Sequence, residues 1–381
     1  MGTIKDKVAV VGVGATPQGT LPGSTALSLA VDAFKVALDD AGLKKEDIDG
    51  LLTFPGTTSP EGSLNYLRLG ETLGIDPSFT ASLTMGGNTV GALVHLAAMA
   101  VASGMANYVA CVFGDAAKTG GSRFNRAAGW GDSWAIWGMF ANAANTAITA
   151  SRHMALYGTK SEHLGEVAVA CRKHASLNPA AVMRKPITIA DHQQSRWIVK
   201  PLRLLDCCLI SDGGVCLILT SAERAKDLKQ PGVLISGIGQ GYTTQNLENP
   251  EWWKAPHQKA TFERAYKMAG VGPRDIAVAQ LYDSFTINVL LALEAAGFCK
   301  EGESGPFVEE GRIQLGGELP VNTAGGNLSE SYMEGWLHYV EGVRQLRGQC
   351  GERQVAGAEV CLVHTRGGMI NCANATILRK G

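Results

Sequence analysis

The chain has 381 residues, of which 45% are hydrophobic and 18% are charged, and its net charge is −1. This composition supplies a large core and excludes a disordered protein. The balanced charge leaves no basic excess for a phosphate backbone, so nucleic acid is not an expected partner. The sequence contains neither a run of about 18 apolar residues nor a signal-peptide core. We therefore expect a soluble cytoplasmic protein without a membrane span.

Strand and helix patterns alternate through the first third of the chain. A continuous apolar, β-branched run at residues 8–13 predicts a strand buried on both faces. Helical spacing over residues 24–41 ends before Gly42, which is typical of a C-cap. A strand at 48–54, a helix at 88–103 and a strand at 108–113 follow. The alternation predicts an α/β fold in which helices cover a mixed sheet.

The composition and the pattern of apolar residues change between about residues 115 and 200. This stretch contains several tryptophans, scattered prolines and little strand signal. We interpret it as an inserted, mainly helical region that covers one edge of the first half. Strand character returns at residues 206–221.

The same order of elements begins again after Gly232. Predicted here are strands at 233–238, 278–281, 359–363 and 373–378 and helices at 261–270, 285–297 and 333–347. A repeated βα order without short tandem repeats predicts an internal duplication. The predicted halves are residues 1–228, with the inserted region, and residues 229–381.

Nine cysteines are scattered along the chain, and none belongs to a Cys-x-x-Cys pair. Zinc ribbons and thioredoxin chemistry are therefore not expected, and no metal site is predicted. Most of these cysteines lie within apolar strings. We interpret them as small buried side chains in a reducing compartment.

Four segments carry the most specific signal when they are taken together. They are MGGNTVGA at 85–92, YDSFT at 282–286, LPVNTAGGNLSESY at 319–332 and VHTRGGM at 363–369. With the block LRLLDCCLISDGG between the first two, their order resembles the thiolase superfamily over nearly the whole chain. The branch most similar is that of the lipid-transfer proteins, which includes steroid side-chain acyl-CoA aldolases. The resemblance implies two duplicated βαβαβ halves in an α/β/α/β/α arrangement.

The nucleophile of the thiolases is missing from this sequence. Thiolases place a cysteine at the N-terminus of the helix after the third strand, where the helix activates the thiolate. The resemblance places Gly86 at that position, and no cysteine or serine lies between Met85 and Ser103. Without a nucleophile no acyl-enzyme can form, so ping-pong acyl transfer is disfavoured.

The other catalytic loops of the family are changed as well. Tyr282 and Tyr332 correspond to the positions that hold the thioester oxygen, and His364 corresponds to the acid/base cysteine, for which Cys361 is the other candidate. Asp283 is either an orienting carboxylate or a turn residue. The predicted catalytic residues are therefore Tyr282, Asp283, Tyr332 and His364. The predicted substrate-binding residues are Gly86, Asn88, Gly325, Gly326, Gly367 and Gly368.

A site that holds an acyl-CoA thioester but lacks a nucleophile suits retro-aldol cleavage. The thioester accepts the electrons as an enolate, so the protein must supply oxyanion donors and an acid/base pair. No cofactor is needed beyond the CoA of the substrate. The resemblance implies a bulky β-hydroxyacyl-CoA, such as one with a steroid side chain, that yields a ketone and a short acyl-CoA such as propionyl-CoA.

The resemblance also implies a homodimer and a small partner chain with zinc-ribbon and OB-fold parts. The tryptophans at 252–253 and in the region 130–138 suit such an interface, but core packing explains them equally well. Two other functions stay open. One is a non-catalytic thiolase-fold subunit, and the other is an acyltransferase with a shifted nucleophile, such as Ser284 or Cys361.

Overall fold

The computed structural model describes residues 4–121, 142–243, 252–367 and 372–381. The strands are β1 (Val8–Ala15), β2 (Gly50–Pro55), β3 (Phe79–Ser82), β4 (Tyr108–Ala116), β5 (Trp197–Val199), β6 (Leu202–Arg203), β7 (Asp212–Ser221), β8 (Val233–Tyr242), β9 (Val278–Leu281), β10 (Val360–Gly367) and β11 (Cys372–Lys380). The helices are α1 (Ala26–Ala41), α2 (Asn65–Leu73), α3 (Thr89–Ala102), α4 (Asn142–Tyr157), α5 (Ser161–Ser176), α6 (Ile189–Gln194), α7 (His257–Ala269), α8 (Thr286–Ala295), α9 (Ser304–Phe307), α10 (Gly326–Ser329) and α11 (Trp336–Arg347).

The main sheet has the strand order β3-β2-β4-β7-β1-β8-β11-β10-β9. Read outward from the β1–β8 junction, the strands of the second half repeat those of the first: β8 matches β1, β11 matches β7, β10 matches β4 and β9 matches β2. The two halves meet through two residue pairs, Ala9 with Leu234 and Val10 with Val233. This mirrored order confirms the predicted duplication of one fold unit.

Helices α3 and α11 form the layer between the two halves, and each packs against strands of both. Helix α3 is buried around most of its circumference, as expected for a helix that is apolar on every face. The rings of Phe54, Phe113 and Trp336 stack across this layer, with centroids 5.0 and 5.7 Å apart. Helices α1 and α2 cover the outer face of the first half, α7 covers that of the second, and α8 packs into the same core as α7. The arrangement is the predicted α/β/α/β/α.

Most predicted elements are present, with shifted ends. Helix α1 starts after the N-cap Thr25, whose side chain accepts the Ser28 N–H, and ends at Gly42 with a φ of +73°. Helix α7 begins four residues before its predicted start. The predicted strand at 206–221 begins only at Asp212, because residues 204–206 form a turn of 3₁₀ helix. Strand β3 and helix α2 were not predicted.

The described part of the inserted region is mainly helical, as predicted, but its helices α4 and α5 do not cover an edge of the first half as expected. The apolar faces of α4 and α5 belong to the core of the second half, where Ala150, Leu164 and Val167 pack with Phe285 and Leu290. The inserted helices therefore lie on the outer face of the second half, because their apolar side chains are buried there. This packing places α5 beside the segment that carries the predicted catalytic loop.

The remaining sequence expectations concern the tryptophans, membrane-spanning helices, the cysteines and metal sites. Trp253 is buried, which favours core packing for that residue, whereas the tryptophans of the region 130–138 lie outside the described residues. Within the described ranges, no helix combines the length and the apolar character that a membrane crossing requires. All nine cysteines are unpaired. The part of the chain that the structure describes contains no group of three His, Cys, Asp or Glu side chains placed for a metal ion.

Candidate active site

Two buried tyrosines meet between the loops that follow β9 and α10. The hydroxyl oxygens of Tyr282 and Tyr332 lie 3.0 Å apart and share a hydrogen bond. Fifty residues separate them in the sequence, and both side chains are buried. The structure therefore brings together the two tyrosines that the sequence analysis selected.

Glycines create the space for Tyr282. A Cβ atom at Gly87 would overlap the Tyr282 hydroxyl, and one at Gly335 would lie 3.1 Å from the Tyr282 ring. Gly86 has a φ of +57°, a conformation that favours glycine. The start of α3, where the resemblance places the thiolase nucleophile, is thus filled by a hydroxyl that arrives from the other half of the chain.

Glu334 is a functional candidate that the sequence analysis missed. Its Oε2 accepts a hydrogen bond from the Tyr282 hydroxyl at 3.4 Å, and its carboxylate also hydrogen-bonds with Tyr332. Burial, with a smaller contribution from the charge of Asp115, raises the pKa of Glu334 to about 7, although the two tyrosine hydroxyls act in the opposite direction. The signal available in the sequence was an acidic residue two positions after Tyr332, between Met333 and Gly335.

The surroundings keep both tyrosines protonated. Burial raises the pKa of Tyr282 and of Tyr332 well above the ordinary value, and the charge of Glu334 raises both further. A tyrosinate base would require the opposite shift. The two hydroxyls are therefore hydrogen-bond donors at neutral pH, and Glu334 is the acceptor beside them.

Asp283 holds the loop that carries Tyr332. Its Oδ1 accepts the backbone N–H of Asn327 at 2.9 Å, and its Oδ2 accepts that of Leu328 at 3.3 Å. His338 Nε2 lies 3.1 Å from Oδ1 and also 3.1 Å from the carbonyl oxygen of Leu281. Since that carbonyl can only accept, Nε2 must carry the proton and donate. These contacts agree with the orienting role considered for Asp283.

His364 lies apart from the tyrosine pair. On β10, Thr365 donates to Asn88 Oδ1 at 3.2 Å, so the preceding His364 points to the opposite face of the strand. There its ring packs against Phe262 with centroids 5.0 Å apart, and both ring nitrogens are buried without a hydrogen-bond partner in the described residues. Burial and the nearby Arg366 lower its pKa well below the ordinary value. Its catalytic role stays a prediction.

The predicted binding glycines fall into two groups. Gly367 packs against Asn88 and the carbonyl of Met85 at the start of α3. Gly325 and Gly326 have φ values of +110° and +60° and begin the turn that leads to Tyr332. A Cβ at Gly326 would overlap the Asp283 carboxylate. Gly368 lies outside the described residues, and the binding role of the others stays a prediction.

The two alternative nucleophiles are poorly placed for attack. The Ser284 hydroxyl accepts from Asn288 Nδ2 at 2.9 Å. Cys361 is buried in the central core, and its thiol points to the Leu362 carbonyl. Burial raises the pKa of Cys361, which keeps it a thiol rather than the reactive thiolate. The geometry favours acid/base chemistry at the tyrosine pair over a covalent intermediate.

Known proteins resemble the chain along most of its length. Residues 239–380 match the family described as thiolase C-terminal domain-like. A 17-hydroxy-3-oxo-4-pregnene-20-carboxyl-CoA lyase of Mycobacterium tuberculosis is 41% identical over 94% of this chain and 96% of its own length. A steroid side-chain-cleaving aldolase of Thermomonospora curvata is 39% identical over 91% and 92%. The solved structure of an Ltp2-ChsH2(DUF35) aldolase is 38% identical and superimposes with a TM-score of 0.91, covering 100% of this chain and 99% of that one.

Proposed function

The chain belongs to the thiolase superfamily, in its SCP2-thiolase-like branch, and from this premise we propose that it is an acyl-CoA lyase that cleaves a carbon–carbon bond by a retro-aldol reaction. The relatives named as a lyase and as an aldolase support this reaction class. One observation carries the proposal: the Tyr282 hydroxyl fills the start of α3 and hydrogen-bonds with Tyr332. Acid/base groups thus stand where a thiolase has its nucleophile.

The reaction requires two proton transfers and one stabilised enolate. The proton of the β-hydroxyl leaves, the Cα–Cβ bond breaks, and its electrons pass to the thioester as an enolate. Protonation of the enolate at Cα then releases a shorter acyl-CoA. Buried hydroxyl donors stabilise the developing oxyanion strongly, because water does not compete for them. Tyr282 and Tyr332 are buried hydroxyls that can hydrogen-bond the reacting oxygens and also carry the two protons.

The substrate class follows from the chemistry of the relatives' names. In a pregnene that carries a 20-carboxyl-CoA group, a 17-hydroxyl is β to the thioester carbonyl. Cleavage of the bond between Cα, which is C20, and Cβ, which is C17, gives a 17-ketone and propionyl-CoA. We assign this chain a bulky β-hydroxyacyl-CoA of the same kind, with no cofactor beyond the CoA of the substrate.

The test is to incubate the purified protein with such a steroid thioester and to follow the products by liquid chromatography and mass spectrometry. Ketone and propionyl-CoA should appear in equal amounts, and the intact protein mass should show no acyl adduct. A covalent acyl adduct on the protein would instead identify an acyltransferase. A folded complex that turns over no thioester of this class would favour the non-catalytic subunit.

A homodimer with a small partner chain is the assembly we propose. Strand β3 is the outer strand of the first half, and the described residues pair it on one side only, with β2. Leu64 and Leu67 are exposed apolar side chains on the neighbouring segment. An open strand edge flanked by apolar side chains suits pairing with a second copy. The name of the Ltp2-ChsH2(DUF35) aldolase supports a DUF35 partner, which the resemblance describes as zinc ribbon and OB-fold.

Light scattering after size-exclusion chromatography tests this assembly. The chain alone should run as a dimer, and co-expression with the partner should add mass and activity. A fully active monomer would contradict both parts of the proposal. Nine unpaired cysteines suit a reducing compartment, so we place the complex in the cytoplasm.

A further inference from the structure

Glu334 is held in a strained conformation that places its carboxylate beside both tyrosine hydroxyls. It has a φ of +50°, which is uncommon outside glycine, and Gly335 follows with a φ of +84°. Only 6% of Glu334 is exposed. Residues in such conformations cluster at functional sites, where the surrounding packing holds them. The strain here serves to direct one carboxylate at two hydroxyls.

We propose that Glu334 is the proton store of the tyrosine pair: it takes a proton from one hydroxyl as the substrate bond breaks and returns a proton to the other. The proposal rests on the proposed lyase function and adds a residue to it. Glu334 reaches the substrate through the tyrosines, so it is a positioning and proton-holding residue. The contact with both Tyr282 and Tyr332 is what distinguishes it from a simple neighbour.

The proton count closes without solvent. One tyrosine oxygen accepts the proton of the β-hydroxyl while its own proton passes to the Glu334 carboxylate. The Cα–Cβ bond breaks, the ketone forms, and the thioester becomes an enolate. The second tyrosine gives its proton to Cα and then recovers one from the protonated Glu334. Substrate and products differ by no proton, and all three side chains return to their starting forms.

The titratable groups around Glu334 come from four segments of the chain. Tyr282 and Tyr332 face it from two loops, Asp115 lies at the end of β4, and the thiol of Cys208 is close to the same tyrosines. The Asp115 carboxylate is itself fixed by Thr57 and Thr58, which donate four hydrogen bonds to it. A carboxylate in this setting changes protonation near neutral pH, as a proton store must.

Glu330 offers a matched control. It lies four residues before Glu334, is equally buried, and has a pKa that burial raises to about 8. Its Oε1, however, accepts from Asn178 Nδ2 at 3.1 Å rather than from a tyrosine. A substitution of Glu330 therefore removes a buried acid of similar character without touching the tyrosine pair.

The experiment compares Glu334→Gln with Glu330→Gln in the assembled enzyme. Because Glu334 must be ionised to accept a proton, wild-type kcat should rise with pH through about 7. Glu334→Gln should lower kcat about 10²-fold, change KM only a few-fold and flatten this rise. Glu330→Gln should retain both the rise and the rate. Wild-type activity and an unchanged pH profile in Glu334→Gln would overturn the proposal, whereas an inactive wild type would overturn the lyase function instead.

A spectroscopic measurement keeps the proposal testable if Glu334→Gln folds poorly. Infrared difference spectra between pH 5 and 9 should show a protonated carboxyl group that ionises near 7. In Tyr332→Phe this midpoint should move upward, because the lost hydroxyl no longer stabilises the ionised form. An unshifted midpoint in that variant would show that Glu334 and Tyr332 are not coupled and would overturn the proposal.

Discussion

Two buried carboxylates flank the loop of Tyr332, and their partners differ in kind. Asp283 is surrounded by the N–H groups of Asn327, Leu328 and His338, which here can only donate, and by the Cys171 thiol, a weak donor 3.8 Å from Oδ2. Glu334 is surrounded by hydroxyls, which can donate and accept. The first environment fixes a negative charge, and the second lets a proton move. The two buried acids therefore have different roles: Asp283 holds a loop in place, and Glu334 exchanges a proton with the tyrosines.

The largest effect is expected on the stability of the protein when Asp283 is replaced. Asp283→Asn should lower the free energy of unfolding by about 3 kcal/mol or more, because an amide cannot accept all three N–H groups and leaves buried donors unpaired. Chemical denaturation measures this change. Glu334→Gln is the matched comparison, since its hydroxyl partners can reorient toward an amide. Equal losses of stability in both variants would break the distinction between the two acids.

The next effect is expected on kcat when the hydroxyl of Tyr282 or of Tyr332 is removed. Tyr282→Phe and Tyr332→Phe should each lower kcat by about 10²–10³, or 2.7–4 kcal/mol, with KM changed only a few-fold. Tyr339→Phe is the control, because the Tyr339 hydroxyl lies 2.7 Å from the Thr376 hydroxyl and forms its hydrogen bond there rather than with the tyrosine pair. Retention of more than half of the wild-type kcat in both variants, with chemistry rate-limiting, would contradict the tyrosine mechanism. His364→Ala would then test the remaining acid/base candidate.

A third effect, spread over several pH units, is expected on stability as the pH changes. Burial raises the pKa of Glu334 to about 7 and that of Glu330 to about 8. Between the unfolded value near 4.5 and these values, the folded state holds more protons, so stability falls as pH rises. Each group contributes up to about 1.4 kcal/mol per pH unit. Denaturation at pH 5 and 8 should show a smaller fall in Glu330→Gln and in Glu334→Gln, and an unchanged fall would exclude these acids as its source.

The sequence predicted the layers better than the site. Buried strands such as β1 and β4 carry continuous apolar runs, so their local pattern identifies them. The duplication followed from element order alone. The inserted helices were assigned to the wrong half, because an apolar helical face does not state which neighbour it will cover. Tyr282 and Tyr332 were found only through the family resemblance.

Glu334 was missed for a physical reason. The sequence predicts a helix over residues 333–347, which makes Glu334 an ordinary acidic residue in a first turn. The chain instead adopts left-handed conformations at Glu334 and Gly335 and starts α11 at Trp336. Tertiary contacts with the tyrosines impose this change, and no local pattern reports them. His364 shows the reverse case, since its position in the sequence suggested a contact that the strand alternation directs away from the pair.

The glycines at the start of α3 also constrain how this protein can evolve. A side chain at residue 86 meets the left-handed backbone, and one at residue 87 meets the Tyr282 hydroxyl. A cysteine restored at residue 86 must adopt this left-handed backbone, and a mutation that removes the tyrosine loses the donor without gaining a nucleophile. Neither substitution alone is therefore expected to produce an acyltransferase. A change from one reaction to the other would require coordinated substitutions at these glycines and at the tyrosine pair.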